Sequence, residues 1–370
     1  MTEISTTLRQ EVERKQIISF ARFMELALYC PNSGYYEQDQ SRIGIEGDFY
    51  TNVSTGPLFG ALLASRFCQW LEPGPNPVQL VEAGAHDGRL ASDILTWIQA
   101  RRPDVFIRLA YYLLEPSQRR RDWQKRRLAD FAGTIRWVNG PGDLTLHEPA
   151  GVNGVIFSNE LLDAFPVRRL RWVGQQRRWN ELGVGWDAAQ DQFVWRLMPP
   201  MSTEEAIALE AALASDGIRL PAQLKAVLPD GYLLDWSASA GQWWLQAARA
   251  LRQGVLMTID YGLAGQEILL PNRQAGTLRG HYRHRGVEDL LARPGQQDLT
   301  AGVNFEQLRL TGEGTGLRTQ EFTSQSQFLA RAAAEHWPGG APTPSEGRQF
   351  QTLTHPDHLG RAFRVLVQSR

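Results

Sequence analysis

From residue 78 onward, short apolar runs alternate with amphipathic stretches, and this alternation limits the possible fold more than any other feature of the sequence. The apolar runs are Val78 to Ala83, Leu109 to Leu114, Ile135 to Val138 and Gly154 to Ser158, and helical patterns occupy Leu90 to Ala100 and Gln118 to Phe131. Strands that are apolar throughout are typical of a parallel sheet covered by helices on both faces. The sequence therefore predicts a doubly wound α/β domain, which resumes at Val255 to Asp260 and closes with Phe363 to Val367.

The residues before this domain follow a helical pattern. Apolar side chains recur at positions 20, 23, 24, 27 and 28, and Pro31 and Gly34 end that helix. Residues 71–77 contain three prolines and are expected to form a linker. We therefore expect a helical N-terminal region over residues 1–75 and a Rossmann-like domain over residues 76–370. A hairpin-like pattern rich in arginine and tryptophan, followed by an alanine-rich helix, indicates an inserted α+β subdomain at about residues 168–252.

Composition and charge exclude several classes of protein. The chain has 39 basic and 40 acidic residues, so its formal net charge of -1 gives no electrostatic basis for binding nucleic acid. No apolar run approaches the roughly 18 residues of a membrane span, and the N-terminal residues lack an apolar signal core. The two cysteines and the histidines do not have the spacing of metal ligands. We expect a soluble, cytoplasmic protein with no bound metal, no nucleic-acid partner and no membrane span.

A glycine-containing loop follows the first predicted strand, with Gly84, His86 and Gly88 ahead of a predicted helix. Glycines allow a ligand to approach the backbone, and the start of a helix offers unpaired N–H groups. The next strand ends at Glu115, where a carboxylate can accept both hydroxyls of a ribose. The loop and Glu115 together predict a cofactor that contains adenosine.

Two adenosine cofactors compete for this site. The NAD fingerprint is Gly-x-Gly-x-x-Gly, whereas this chain has Gly84 and Gly88 separated by three residues, with Glu82 just ahead of the loop. A carboxylate at that position can reach the ammonium group of S-adenosylmethionine, directly or through water. The pattern favours S-adenosylmethionine and leaves an NAD-dependent oxidoreductase as the second alternative.

A polar segment that contains Asn159, Glu160 and Asp163 follows the fourth predicted strand. Ligands of open α/β sheets bind at the carboxyl ends of the strands, so these side chains are expected to border the reacting centre. Carboxylates at that place can orient a cationic nucleophile such as a guanidinium group. A simpler interpretation is that Asn159 is the N-cap of a helix and that the acids of its first turn interact favourably with the helix dipole. For Asp163, this structural role is at least as well supported as a role at the reacting centre.

These segments belong to a longer series of motifs. The series comprises Ile18 to Tyr29, Gly34-Tyr-Tyr36, Gly47-Asp48-Phe49-Tyr-Thr51, Phe59-Gly60, the Glu82 loop, Asn159 to Pro166, Ile259-Asp260-Tyr261-Gly262, Gly276 to Arg285 and Gly295 to Thr300. In order and spacing, they resemble the MidA-like S-adenosylmethionine-dependent methyltransferases, a family with a mitochondrial complex I assembly factor that methylates an arginine. The resemblance extends over almost the whole chain.

The resemblance implies a class I methyltransferase fold, with a seven-stranded sheet whose last strand is antiparallel. It implies methyl transfer from S-adenosyl-L-methionine to an arginine of a protein substrate, with a respiratory complex I subunit as the candidate. The residues expected to bind the cofactor are Glu82, Gly84, His86, Gly88, Glu115 and Asn159. Those expected at the acceptor are Glu160, Asp48 and Asp163.

Two segments depart from the family pattern. His86 stands where relatives usually carry the middle glycine of the cofactor loop, and histidine tolerates a positive φ better than most residues. Residues 52–55, Asn-Val-Ser-Thr, replace a Pro-Glu-Ile-Ser run, so an acid expected near the active site is missing. These changes keep open the alternative of a non-catalytic assembly or binding protein on the same fold.

Overall fold

The computed structural model describes residues 2–38, 51–72, 74, 76–283, 285–337, 340–356, 359–360 and 362–370. Asp48 and most of its loop therefore lie outside the described residues. The helices are α1 (Glu3–Lys15), α2 (Phe20–Tyr29), α3 (Leu58–Leu71), α4 (Arg89–Arg101), α5 (Pro103–Phe106), α6 (Gln118–Arg127), α7 (Pro141–His147), α8 (Thr203–Ser215), α9 (Ala222–Val227), α10 (Ala238–Ala250), α11 (Phe305–Gly314), α12 (Gln325–His336) and α13 (Pro344–Thr354). The strands are β1 (Ile18–Ser19), β2 (Val78–Ala83), β3 (Leu109–Leu114), β4 (Ile135–Val138), β5 (Val152–Asn159), β6 (Arg168–Val173), β7 (Arg178–Asp187), β8 (Gln192–Leu197), β9 (Leu233–Trp236), β10 (Leu251–Leu263), β11 (Arg279–Tyr282), β12 (Arg285–Val287), β13 (Asp298–Thr300), β14 (Val303–Asn304), β15 (Arg318–Ser324) and β16 (Phe363–Ser369).

The main sheet has the strand order β15-β16-β10-β5-β2-β3-β4. The strands from β4 to β10 are parallel, and the last strand, β16, is antiparallel to both of its neighbours. The described part of this sheet has eight strands rather than the expected seven, because the two-residue β14 pairs with the end of β10. A strand of two residues is too short to produce an apolar run, so its sequence does not predict it.

Helices cover both faces of the main sheet. On one face, α3, α4 and α12 contribute to a core that includes the buried Phe67, Ile94 and Phe328. On the other face, α7, α10 and α11 surround the buried Trp244 and Leu308. Every residue of β2 and β3 is buried, which explains why the sequence of both strands is apolar almost throughout. The predicted doubly wound α/β architecture is confirmed.

A second, antiparallel sheet is built from β1, β6, β7, β8 and β9. Its strand β1 comes from the N-terminal region, where Ile18 pairs with Val184 of β7. Phe23 of α2 and Phe193 of β8 lie in one shared core. The N-terminal helices therefore pack on the sheet formed mainly by residues 168–236, next to the carboxyl edge of the main sheet. Helix α10, which follows, packs instead on the main sheet through Trp244.

Candidate active site

The strand register aligns the predicted site residues along one edge of the main sheet. Ala83, the last residue of β2, pairs with Leu114 of β3 and with Ser158 of β5. Because these strands are parallel, the residues that follow them emerge at the same edge. They are Gly84, Glu115 and Asn159, and Asn139 follows β4 at the same edge.

A cavity of about 1340 Å³ opens above this edge. It is larger than the ~300–1,000 Å³ typical of small-molecule sites, so it has room for a cofactor and part of a second reactant. Six of the predicted residues line it, namely Glu82, Gly84, His86, Glu115, Asn159 and Glu160. Of the residues that the structure describes, Gly88 and Asp163 are predicted site residues outside this lining.

The cofactor loop requires left-handed backbone at three positions. The φ angles of Gly84, His86 and Gly88 are 78°, 46° and 85°, so the left-handed backbone expected at His86 is present. A Cβ added at Gly84 would lie 3.0 Å from Cδ1 of Leu161, and one at Gly88 would lie 3.0 Å from Cδ1 of Leu128. Gly84 thus keeps the cavity floor free of side chains, whereas Gly88 allows close packing beneath the loop.

The side chain of His86 forms part of the cavity wall. Its ring centroid lies 5.8 Å from that of Trp123 on α6, with the ring planes at 55°. Its carbonyl oxygen accepts a hydrogen bond from Nε2 of Gln124, at 2.9 Å. The contacts with α6 hold this non-glycine residue in the loop without removing it from the cavity.

Glu82 is a buried carboxyl group at the end of β2, with 2% of its surface exposed. The hydroxyl of Tyr111 donates to its Oε2 at 2.6 Å. Burial raises the pKa of Glu82 to about 8, although the hydrogen bond from Tyr111 opposes this shift. A cationic group beside Glu82, such as an ammonium, would favour its ionised form.

Glu115 already has three hydrogen-bond donors within the protein. Its Oε1 accepts from the backbone N–H of Ser117 and from Nε of Arg120, both at 2.9 Å, and its Oε2 accepts from Nε2 of Gln124 at 3.2 Å. A carboxylate offers about four acceptor positions, so roughly one remains for a ligand hydroxyl. Arg120 also lies 3.5 Å from Glu37. Only 12% of the Arg120 side chain is exposed, although it belongs to a basic run of three arginines.

Glu160 has a left-handed backbone, with φ of 51°. Its Oε1 accepts from the backbone N–H of Asn52 at 3.0 Å and from Nδ2 of Asn159 at 3.1 Å. The buried Asn52 side chain in turn bonds to Asn159 and to Gln325. Burial raises the pKa of Glu160 to about 7, against these two hydrogen bonds. Asn52, one of the departures from the family pattern, thus holds Glu160.

Asp260 holds the turn that contains Glu160. Its Oδ2 accepts from the backbone N–H groups of Leu161, at 3.2 Å, and Leu162, at 2.9 Å. The proposed N-cap role of Asn159 is therefore wrong, since the chain forms a short 3-10 helix at 162–164 and Asp260 binds the N–H groups ahead of it. The sequence did not reveal this role, because β10 lies about 100 residues further along the chain.

Four acidic side chains lie at this end of the site: Glu160, Asp163, Asp260 and Asp298. Burial and mutual repulsion raise the pKa of Asp163 well above its ordinary value, and burial raises that of Asp260 to about 7. The hydroxyl of Tyr36 donates to Oδ1 of Asp298 at 2.8 Å. The structure thus brings Glu160 and Asp163 together with two further acids that sequence reasoning had not assigned to the site.

Residues 62–323 match the model of a family described as S-adenosyl-L-methionine-dependent methyltransferases. The chain belongs to this methyltransferase family. A crystal structure of a superfamily member from Burkholderia thailandensis bound to S-adenosyl-homocysteine aligns with a TM-score of 0.82 and 30% identity, and covers 99% of this chain and 92% of that one. The protein is thus an S-adenosylmethionine-dependent methyltransferase, and this cofactor, not NAD, is the one the site binds.

Curated relatives match over most of the chain. The mouse (Mus musculus) protein arginine methyltransferase NDUFAF7, mitochondrial, is 27% identical over 99% of this chain and 84% of its own length. The Drosophila melanogaster homologue is 25% identical over 98% and 84%, respectively. The match therefore includes the N-terminal region as well as the main sheet.

The cytoplasmic location expected from the sequence is contradicted, because these relatives are named as mitochondrial proteins. The composition of a chain and its fold do not specify its compartment. Within the described segments, no helix combines the length and the apolar character needed to cross a membrane.

Proposed function

We propose that this methyltransferase transfers the methyl group to an arginine side chain of a protein substrate. The observation that carries the proposal is that Glu160 lines the same cavity as the cofactor loop, with the buried Asp163, Asp260 and Asp298 near it outside the lining. A guanidinium group is cationic at neutral pH and is bound best by carboxylates that accept its N–H groups. The names of the relatives, which are protein arginine methyltransferases, support the same acceptor.

The cofactor end of the cavity comprises the loop from Glu82 to Gly88 together with Glu115. Glu82 would face the ammonium group, and Glu115 would accept a ribose hydroxyl at its remaining acceptor position. Gly84 would let the cofactor approach the backbone, because glycine has no side chain. Any side chain at this position would also be crowded by Leu161. We retain His86 and Asn159 as cofactor-binding residues, and Gly88 as a residue that shapes the loop.

S-adenosylmethionine supplies a methyl group on a positively charged sulfur, which leaves with the electron pair of the carbon–sulfur bond. The protein must present the attacking arginine nitrogen in line with that bond. Glu160 would bind the guanidinium edge, orient one nitrogen and take up the proton that this nitrogen releases. Asp163 would support the cation electrostatically, and Asp48 stays a proposal for the same site.

Two finer assignments also remain proposals. A respiratory complex I subunit is the candidate protein substrate, by resemblance to the family. The division into an N-terminal region of residues 1–75 and a class I methyltransferase domain of residues 76–370, with an insertion at about 168–252, is the other. The second sheet supports an insertion over residues 168–236, whereas α3 and α10 pack on the main sheet.

The test is the chemical identity of the methylated product. The protein is incubated with methyl-tritiated S-adenosylmethionine and respiratory complex I, and the acceptor is hydrolysed and chromatographed. We expect the label in methylarginine. Label in methyllysine or in base-labile carboxyl esters, or no transfer at all, would contradict the arginine assignment.

A further inference from the structure

Two tyrosines of the N-terminal region, Tyr29 and Tyr36, line the same cavity as Glu160. Tyr29 is the last residue of α2, and Tyr36 lies in a 3-10 helix seven residues later. Their rings stack with centroids 5.6 Å apart and planes at 25°. Both side chains are partly exposed and border the cavity with aromatic rings, although neither residue has a part in the transfer described above.

Both phenol groups are engaged within the protein. The hydroxyl of Tyr29 donates to the carbonyl oxygen of Ala164 at 2.9 Å, and that of Tyr36 donates to Oδ1 of Asp298 at 2.8 Å. Burial raises the pKa of both phenols, so both stay neutral. Because each hydroxyl already donates a hydrogen bond within the protein, the ring orientation is fixed. The part of each side chain that can contact a ligand is the π face of the ring.

The hydrogen bonds of the pair and the contacts of the next residue connect it to both ends of the cavity. The two hydroxyls reach Ala164 and Asp298 at the acidic end, whereas Glu37, next to Tyr36 in the chain, lies 3.5 Å from Arg120, which binds Glu115 at the cofactor end. A cation bound in the cavity beside Glu160 would therefore meet a carboxylate and an aromatic ring together. A guanidinium group suits this combination, because its edge donates hydrogen bonds while its plane stacks on an aromatic ring.

We propose that Tyr29 and Tyr36 form an aromatic wall that binds the plane of the acceptor guanidinium while Glu160 binds its edge. The inference rests on the proposed function, because it concerns the acceptor of that reaction. A flat wall favours a planar, delocalised cation over the compact, strongly hydrated ammonium of lysine. The N-terminal region, by contributing this wall, would help to set the specificity for arginine.

The experiment uses N-acetyl-arginine methylamide as the probe, with the full-length protein saturated with S-adenosylhomocysteine. Probe affinity is measured by saturation-transfer NMR for the wild type and for Tyr36→Leu, Tyr36→Phe, Tyr29→Leu and Tyr29→Phe. We expect each leucine variant to weaken probe binding roughly tenfold, the effect of losing a desolvated cation–π contact. The phenylalanine variants keep the ring and should stay within about threefold of the wild type.

Two controls separate recognition from folding. Incorporating 3,5-difluorophenylalanine at position 36 keeps the ring but weakens its negative face, so it should bind the probe less tightly than Tyr36→Phe. The citrulline analogue of the probe has the same shape and no charge, and its weak binding should not change among the variants. Circular dichroism checks that each variant is folded.

Equal loss of S-adenosylhomocysteine and probe affinity in the leucine variants would overturn the proposal and assign the wall to the cofactor. A loss for S-adenosylmethionine but not for S-adenosylhomocysteine would also overturn it, because the rings would then face the sulfonium. Unchanged probe affinity in the leucine variants would also overturn the proposal. So would a wild-type protein that binds S-adenosylhomocysteine but not the probe. A wild type that binds no cofactor product at all would instead contradict the cofactor site of the proposed function.

Discussion

His86 and Glu160 are non-glycine residues with left-handed backbone, and both line the cavity. Such conformations cost of order 1–3 kcal/mol each and persist where the surroundings hold them. Gln124 binds the carbonyl oxygen of His86, and Asp260 binds the N–H groups that follow Glu160. At the scale of single residues, hydrogen bonds from neighbouring residues thus stabilise the strained backbone at two positions of the site.

Replacement of His86 by glycine tests whether its ring contacts the cofactor. Glycine adopts the observed φ without strain and restores the usual family loop. We expect the affinity for S-adenosylmethionine in calorimetry to stay the same or to increase. A clear decrease, with the circular dichroism spectrum unchanged, would show that the ring binds the ligand.

The pKa of Glu160 predicts a pH-dependent stability. Its folded-state pKa of about 7 lies above the ordinary 4.5, so the unfolded chain ionises first as the pH rises. Glu160 therefore destabilises the folded state progressively between pH 4.5 and about 7, after which its effect is constant. We expect Glu160→Gln to raise the free energy of unfolding by about 3 kcal/mol more at pH 8 than at pH 4.5.

Urea unfolding at the two pH values measures this difference. Glu148→Gln serves as the control, because Glu148 bonds to Tyr112 and does not belong to the described lining of the cavity. A Glu160→Gln variant whose gain in stability is the same at both pH values would show that Glu160 ionises normally.

At the scale of elements, the sequence predicted those strands that are buried on both faces. The observed bounds of β2, β3 and β4 equal the predicted runs, because each run is mostly apolar and is flanked by polar, proline or glycine residues. The predicted alanine-rich helix is α8, which begins with a capping box between Ser202 and Glu205. The pairing of β1 with β7 was not predicted, because a two-residue strand gains its structure from a partner more than 160 residues away.

The same distinction applies to the candidate site. Glu82, Glu115 and Glu160 were found because the carboxyl ends of parallel strands meet at one edge. Arg120 was not predicted to belong to the site, and only its contact with Glu115 shows that it turns inward. Contacts of this kind depend on the orientation of a helix, which local sequence does not determine.

The strand-end rule predicts that Glu115 contributes to cofactor binding. Removing its carboxylate in Glu115→Ala leaves a ribose hydroxyl without its acceptor and removes the contact that positions Arg120, so affinity for S-adenosylmethionine should fall about tenfold or more. Glu37→Gln is the matched control, since it removes the other acid near Arg120 but leaves Glu115 in place. Calorimetric affinities that are equal in the wild type and in Glu115→Ala would contradict the assignment.

At the scale of the whole molecule, the cavity is assembled from distant parts of the chain. The main sheet provides the cofactor loop and Glu160, the N-terminal region provides Tyr29 and Tyr36, and Trp243 of α10 lines the wall as well. The cavity therefore depends on the packing of the N-terminal helices beside the main sheet. In the proposed reaction, the cofactor binds at the end with Glu82 and Glu115, and the acceptor binds at the end with Glu160.

The most direct test of this division compares methyl transfer and cofactor binding in one Glu160→Gln protein. Glutamine keeps the shape of the side chain but not its charge, and thus removes an interaction made with the acceptor. We expect transfer of radiolabelled methyl to the acceptor protein to fall by at least about tenfold, while the Kd for S-adenosylmethionine stays within a few-fold. Equal loss of both would place Glu160 in the cofactor site, and full retention of transfer would contradict its role at the acceptor.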